Sequence, residues 1–260
     1  MTSRKQRIQD SFSAAASGYE SAAGFQDRIA AGLAARLAAL PSLPDGARVL
    51  EVGCGTGLLT RRLRAAVGEQ ADILATDLSP AMVAHARDAL AADRRIAFAA
   101  MDAEAPTMAQ QSLDLIVSSL AAQWFSDLPT ALADLAQRLA PGGRLILTLP
   151  GAGSFAEWRA AHRALGLEPG TPAFPDATAL WAMMPPDGDS RIDSETVVET
   201  HRDGLAFART LAALGAAVPR PGHRPLAPGQ LRRVIAALGA PCTMTWTIHT
   251  LSFTRNGIQS

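Results

Sequence analysis

The chain has no net charge, few cysteines and no long apolar run. Lys+Arg and Asp+Glu each total 24 among 260 residues, and such a balance does not favour tracking along nucleic acid or an acidic membrane. The two cysteines, Cys54 and Cys242, stand far apart without a CxxC partner, which argues against a disulfide framework and a zinc site. No segment approaches the roughly 20 apolar residues of a membrane helix, and the N-terminal stretch lacks the apolar centre of a signal peptide. We therefore expect a cytoplasmic protein that binds no metal, membrane or nucleic acid.

Apolar residues are plentiful, and they fall into two alternating patterns. They make up 48% of the chain, enough for the core of one large domain. Short apolar runs typical of buried strands alternate with helical patterns, which predicts an α/β fold with a parallel, doubly wound sheet. The predicted strands are residues 48–53, 71–77, 96–102, 113–119 and 144–150, followed by 194–201 and 243–253. Ligands of such sheets bind beyond the carboxyl ends of the strands.

The predicted helices carry recognisable start and stop signals. An amphipathic helix over 25–40 stops at Pro41, and Ser79 and Pro80 occupy the N-cap and first positions of a later helix. The remaining helices are expected at 58–67, 79–92, 128–140, 154–165, 176–184, 204–215 and 228–239. Two connections rich in Pro and Gly, "GLEPGTPAFP" and "VPRPGHRPLAPG", are too long for simple turns and are candidate lid or substrate loops.

A glycine loop follows the first predicted strand in "RVLEVGCGTG". Gly53, Gly55 and Gly57 alternate with other residues, and glycine permits both a positive φ and close approach of the backbone to a ligand. The spacing differs from the G-x-G-x-x-G of dinucleotide sites, and no Gly-Lys-Ser/Thr of a P-loop follows. Glu51 would repel a pyrophosphate but could organise an ammonium group. We expect Gly53 and Gly55 to face the ligand and Gly57 to allow helix packing.

Acidic residues close the next two predicted strands. Asp77 can accept hydrogen bonds from both ribose hydroxyls, and Asp102 can accept one from an adenine amino group beside the backbone N–H of Ala103. Ribose, adenine and a zwitterion without phosphate describe S-adenosylmethionine (SAM). The alternatives are a helix-terminal acid at Asp77, a solvated turn at Asp102 and a dinucleotide-binding domain.

Five segments resemble, in order, the motifs of class I SAM-dependent methyltransferases. They are "VLEVGCGTG", "ATDLSPAMVAHAR", "AAMDAE", "LDLIVSSLAAQW" and "LAPGGRLIL". The resemblance implies a mostly parallel, seven-stranded, Rossmann-like sheet, SAM as the cofactor and S-adenosylhomocysteine as its product. Besides the residues named above, it implies cofactor contacts from Leu78, Met82 and Ser119, and from the backbone of Cys54.

A narrower resemblance covers both ends of the chain. The segments "KQRIQDSFSAAASGYESAAGFQ", "SSLAAQWFSDLPTALADLAQRLAPGG", "GLAFARTLAALGA" and "LAPGQLRR" are similar to the malonyl-acyl-carrier-protein O-methyltransferases of biotin synthesis. That family implies that residues 1–44 cover the cofactor, 45–150 bind SAM, and 151–260 complete the sheet and carry a helical lid insertion. Tyr19, the single tyrosine, is then expected to cover SAM unless it only packs, and Gln26 is a further candidate for the cofactor's polar end.

The implied reaction is methyl transfer to the free carboxylate of a malonyl thioester on acyl carrier protein or CoA. That carboxylate is ionised at neutral pH, so positioning rather than a general base is required. Gln123 and Trp124 follow the fourth strand, where acceptor and cofactor meet; Trp124 is alternatively a core residue. Arg220, His223 and Arg224 are as a group the best candidates for binding the carboxylate or the phosphopantetheine arm, although each alone is better explained as a solvated charge.

Two features leave the methyl acceptor open. Trp246 stands where the family usually has tyrosine, and residues 185–200 align with nothing. The segment "VSSLAAQWFSDLP" is also similar to a mitochondrial respiratory complex I assembly factor and its bacterial relatives. An assembly protein is therefore one alternative, and a methyltransferase of quinones or aconitate-like small acids is another.

The expected partner is a small substrate or its carrier protein, and we expect a monomer. A neutral chain that binds an acidic carrier needs a local patch of cations. Arg4, Lys5 and Arg7 are expected to join the region 220–233 in such a patch.

Overall fold

A seven-stranded mixed sheet forms the centre of the computed structural model, which describes residues 3–257. The strands are β1 (Arg48–Val52), β2 (Asp72–Asp77), β3 (Ile96–Ala100), β4 (Leu113–Ser119), β5 (Leu139–Pro150), β6 (Gly188–His201) and β7 (Cys242–Arg255). Their order across the sheet is β3-β2-β1-β4-β5-β7-β6. Strands β1 to β5 are parallel, and β7 runs antiparallel to both β5 and β6. The predicted mostly parallel, doubly wound fold is confirmed; residues 1–2 and 258–260 of the predicted terminal segments lie outside the described range.

The helices are α1 (Arg4–Ala15), α2 (Tyr19–Ala22), α3 (Gly24–Ala38), α4 (Thr60–Val67), α5 (Pro80–Ala89), α6 (Leu128–Arg138), α7 (Ala156–Ala164), α8 (Ala177–Met183), α9 (Gly204–Ala213) and α10 (Pro228–Ala237). From α3 onwards they lie at the positions that the apolar patterns predict, whereas α1 and α2 were not predicted from those patterns. The Ser79 hydroxyl accepts a hydrogen bond from the Met82 N–H at 3.2 Å, which is the predicted N-cap of α5. Within residues 3–257 none of these helices is both long and apolar enough to cross a membrane.

The start of β5 differs from the prediction. We expected a helix through residue 140, but α6 ends at Arg138 and β5 begins at Leu139, which pairs with Leu113 before the register shifts. A Cβ on Gly143 would lie 2.8 Å from the carbonyl oxygens of Ala140 and Leu113. The absence of a side chain at Gly143 therefore lets the backbone pass close to β4 inside this irregular segment.

The segment that aligned with nothing, 185–200, forms most of β6. This strand is longer than the predicted 194–201 and pairs with β7 along its whole length at the edge of the sheet. Most of its side chains are exposed or half-buried. A strand with one solvated face and one free edge carries little apolar periodicity, which explains why only its C-terminal half was predicted.

Trp246 on β7 joins the sheet to the N-terminal helices. Its ring is buried and stacks on Phe25 of α3 at a centroid distance of 4.3 Å, and it also packs against Phe155. The indole N–H donates a hydrogen bond to the Glu199 carboxylate of β6 at 2.7 Å. Trp246, which stands where the family usually has tyrosine, thus fills an aromatic cluster and supplies a hydrogen-bond donor to the half-buried Glu199 carboxylate.

We expect Trp246→Phe to lower the free energy of unfolding by about 1–3 kcal/mol, because the Glu199 carboxylate loses its donor while most of the ring packing remains. Urea unfolding measures the difference. The matched control is Trp181→Phe, since the Trp181 side chain is 50% exposed and a surface substitution changes stability by no more than about 0.5 kcal/mol. Equal stability of Trp246→Phe and the unmodified protein would contradict the role of the hydrogen bond.

Candidate functional site

The glycine loop turns sharply as it leaves β1 and lies against β4 and α5. Gly53 has φ +73°, and a Cβ there would collide with the Cβ of Ala121, so both the conformation and the close approach require glycine. Gly57 has φ +95° and a Cβ there would lie 3.2 Å from Leu90 after α5, which places it in helix packing. Gly55 has open space in front of it, as a ligand-facing position requires.

The Asp77 carboxylate joins this loop to the start of α5. One oxygen accepts a hydrogen bond from the Gly55 N–H at 3.0 Å and the other from the Ser79 N–H at 2.8 Å. Burial raises the pKa of Asp77, against the opposing effect of these two hydrogen bonds. Each carboxylate oxygen retains acceptor capacity, and the side chain lines the cleft described below.

Glu51 lies beneath the loop rather than on the surface of the cleft. Its side chain is 1% exposed, and neither carboxylate oxygen has a hydrogen-bond partner among the described residues. Burial raises its pKa to about 8; the nearby Thr60 hydroxyl lowers it in part, and the Asp77 carboxylate raises it further. Cys54 also lies behind the cleft surface, and burial raises the pKa of its thiol, which makes it a poor nucleophile.

A narrow cleft of about 110 Å³ opens at the carboxyl ends of β1 to β4. It brings together most of the residues predicted to bind the cofactor, with Glu51 and Cys54 left just behind its surface. The predicted residues that line it are Tyr19, Gly53, Gly55, Asp77, Leu78, Met82, Asp102, Ala103 and Ser119.

Helix α1 covers the cleft through a contact that the sequence did not predict. The Lys5 ammonium bridges the carboxylates of Asp102 at 2.5 Å and Glu104 at 2.8 Å, and Ile8 and Phe12 of the same helix also line the cleft. The one lysine of the chain therefore binds the acid expected to accept from adenine and does not join a cationic patch with 220–233. Cofactor pockets typically exceed about 300 Å³, so the cleft covered by α1 is smaller than a whole nucleoside cofactor requires.

A larger cavity of about 500 Å³ adjoins the cleft beneath the C-terminal helices. Aromatic and aliphatic side chains from α7, α9 and the two Pro/Gly-rich loops dominate its wall, including Phe155, Trp158 and Phe174. Two amides, Gln26 and Gln123, also line it, and each has a buried side-chain oxygen without a hydrogen-bond partner among the described residues. The cavity can therefore hold an apolar ligand that carries a few hydrogen-bond donors.

The structure brings one of the three predicted substrate-binding residues to this cavity. His223 lines it, whereas Arg220 and Arg224 do not. The Arg220 guanidinium lies 3.4 Å from both the Glu168 carboxylate and the Pro169 carbonyl oxygen, which directs it to the outside of the loop. Of the three residues predicted to bind the malonyl carboxylate or the phosphopantetheine arm together, only His223 therefore reaches the cavity.

Cleft and cavity meet at side chains that line both. These are Phe12, Tyr19, Leu120 and Trp124. Phe12 and Trp124 pack edge to face with centroids 5.4 Å apart. Leu120 has φ +53°, a conformation that favours glycine, and its carbonyl oxygen accepts a hydrogen bond from the Gln123 amide at 2.6 Å. Backbone strain held at the meeting point of two cavities is typical of a functional site.

The sequence did not indicate Phe12 and Leu120 as site residues, and it placed Lys5 in a cationic patch although this single lysine pairs with the acids of the cleft. Within residues 3–257, His, Cys, Asp and Glu side chains form no group of three that could hold a metal ion.

The strand order, the antiparallel β7 and a cleft at the glycine loop define a class I methyltransferase. A family model described as a methyltransferase domain matches residues 49–143. The YcgJ protein of Bacillus subtilis has the same fold, with a TM-score of 0.64 and 16% identity, over 87% of this chain and 98% of that one.

Sequence relatives identify the family within this class. A malonyl-(acyl-carrier protein) O-methyltransferase of Magnetococcus marinus is 36% identical over 90% of this chain and 86% of its own length. The biotin biosynthesis bifunctional protein BioCD of Bordetella avium is 45% identical over 88% of this chain, which spans 48% of that longer protein. The chain belongs to the malonyl-(acyl-carrier protein) O-methyltransferase family.

The raised pKa of Glu51 predicts a loss of stability with rising pH. Between its unfolded value near 4.5 and its folded value of about 8, the unfolded chain gives up a proton that the folded chain retains, so the free energy of unfolding falls by up to about 1.4 kcal/mol per pH unit. Glu51→Gln should remove this component. Urea unfolding from pH 5.5 to 7.5 measures it, with exposed Glu69→Gln as the matched control, and identical pH slopes for Glu51→Gln and the unmodified protein would contradict the assignment.

Proposed function

We propose that the chain is a SAM-dependent methyltransferase that methylates the free carboxylate of a malonyl thioester on acyl carrier protein, as a step of biotin synthesis. The observation that carries the proposal is the meeting of a small cleft with acidic side chains and a large apolar cavity at Tyr19, Leu120 and Trp124. Family membership favours this acceptor over the alternatives of an assembly protein and a methyltransferase of quinones or small acids.

The residues of the cleft fit SAM. Asp77 would accept from the ribose hydroxyls, and Ala103 and Asp102 would contact the adenine once Lys5 withdraws. The buried, unpaired oxygens of Glu51 would attract the cationic methionine end through space, whereas Gln26, the further candidate for that end, lines the large cavity and not the cleft. When bound, SAM supplies an electrophilic methyl group and leaves as S-adenosylhomocysteine. No described residue set calls for a metal ion, and the proposal requires none.

The apolar cavity fits the thioester better than it fits the carboxylate. The thioester and the adjacent pantetheine are largely apolar with amide donors, which suit the aromatic wall and the free oxygens of Gln26 and Gln123. The malonyl carboxylate would then point towards Tyr19 and Trp124, where the two cavities meet. Burial raises the pKa of Tyr19, so its hydroxyl stays a hydrogen-bond donor to that carboxylate.

The residues at the junction would act by orienting the acceptor and excluding water. An ionised carboxylate is already nucleophilic, and its attack requires an oxygen held in line with the methyl group and the departing sulfur. Trp124, Phe12 and Leu120 supply apolar surface around that point, which strips water from the carboxylate. We further propose that the chain acts as a cytoplasmic monomer, consistent with two free, buried cysteines.

Incubation with SAM and malonylated acyl carrier protein should add one methylene to the malonyl group, as measured by mass spectrometry of the intact carrier. Acetylated carrier is the matched control, because it has the same thioester and no free carboxylate; it should remain unmodified. The proposal is wrong if the malonyl carrier gains no methylene under conditions in which calorimetry shows SAM to be bound.

A further inference from the structure

Acidic residues are absent from the last part of the sequence. Between residue 204 and the C-terminus the chain contains six arginines and neither Asp nor Glu, although the whole chain has equal numbers of cations and acids. This segment includes α9, the second Pro/Gly-rich loop and α10. The charges of the neutral chain are therefore unevenly distributed, and the segment from residue 204 onwards carries an excess of positive charge.

Several exposed arginines of α7, α9, α10 and the second Pro/Gly-rich loop stand next in the chain to residues of the large cavity. The pairs are Arg209 beside Ala208, Arg224 beside His223 and Pro225, Arg232 beside Leu231, and Arg163 of α7 beside His162. Arg233 follows Arg232 on α10, which packs against both α7 and α9.

None of these five side chains is used to hold the fold. Within residues 3–257, Arg163, Arg209, Arg224, Arg232 and Arg233 are exposed, and no ion pair or side-chain hydrogen bond involves them. Two arginines near them, Arg159 and Arg220, do make structural contacts.

Arg159 donates to the Ala152 carbonyl oxygen at 2.6 Å, and Arg220 pairs with Glu168. The structure thus separates arginines with a structural contact from arginines that face solvent around the cavity. Leu231, 37% exposed, adds an apolar surface beside Arg232.

We propose that Arg163, Arg209, Arg224, Arg232 and Arg233 form a docking surface for the acidic face of the acyl carrier protein. The inference rests on the proposed function, and it identifies where the carrier sits. An acidic protein domain placed over this surface would present its prosthetic arm at the cavity, whose wall suits the thioester. Opposite charges accelerate encounter and fix the orientation of the two proteins.

The test compares two malonyl thioesters that differ in the carrier. We expect Arg232→Glu/Arg233→Glu to lower kcat/KM for malonylated acyl carrier protein by about tenfold or more. For malonyl-N-acetylcysteamine, a small thioester without a protein, kcat/KM should be unchanged. The kcat/KM for the carrier substrate should also fall with added salt in the unmodified protein and respond much less in the variant.

The matched control is Arg48→Glu/Arg94→Glu, because both arginines are exposed and lie at the opposite end of the sheet, Arg48 as the first residue of β1 and Arg94 just before β3. This control should leave kcat/KM for both thioesters unchanged. Thermal unfolding should show that both double variants fold. Equal loss of activity on both thioesters, or no loss on the carrier, would overturn the docking surface.

Binding of unmalonylated carrier, measured by surface plasmon resonance, separates this inference from the proposed function. Binding that Arg232→Glu/Arg233→Glu weakens supports the docking surface even if the unmodified protein methylates neither thioester, a result that would refute only the proposed function. Binding that charge reversal leaves unchanged refutes the docking surface.

Discussion

Two carboxyl groups buried at the ends of β1 and β2 form the electrostatic constraint on which the cofactor cleft depends. The N–H groups of Gly55 and Ser79 donate hydrogen bonds to the Asp77 carboxylate and partly compensate its loss of hydration. The Glu51 carboxyl group has no hydrogen-bond partner among the described residues. Burial raises the pKa of both, and the charge of Asp77 raises that of Glu51 further. Such an arrangement is stabilised by a nearby cation, and the sulfonium and ammonium of SAM would supply one.

Elements from both ends of the chain enclose the cleft and the cavity beside the central sheet. Helix α1 closes the cleft through the Lys5 bridge to Asp102 and Glu104. Residues of α7, α9 and the two Pro/Gly-rich loops form much of the wall of the apolar cavity. The strained backbone of Leu120 and the ring of Trp124 lie where the two spaces join. Phe12 of α1 lines both spaces, so this helix bounds the cleft and the cavity alike.

The sequence predicted the central sheet well because each strand and each glycine is specified locally. The alternation of apolar runs and helical patterns indicated β1 to β5, and the spacing of Gly53 and Gly55 with Asp77 indicated a cleft that is not a phosphate site. Long-range contacts were not predictable in this way. Lys5 meets Asp102 across 97 residues, the side chain of Arg220 turns towards Glu168 rather than into the cavity, and β6 depends on pairing with β7 rather than on its own pattern.

A cleft built for a cationic cofactor should release protons when that cofactor binds. A cation near Glu51 lowers the pKa of about 8, so SAM binding at pH 7 should release a fraction of a proton from that carboxyl. Calorimetry in buffers of different ionisation enthalpy measures the release. Proton release should be greater for the unmodified protein than for Glu51→Gln; the same proton balance in both proteins would contradict a cation site beside Glu51.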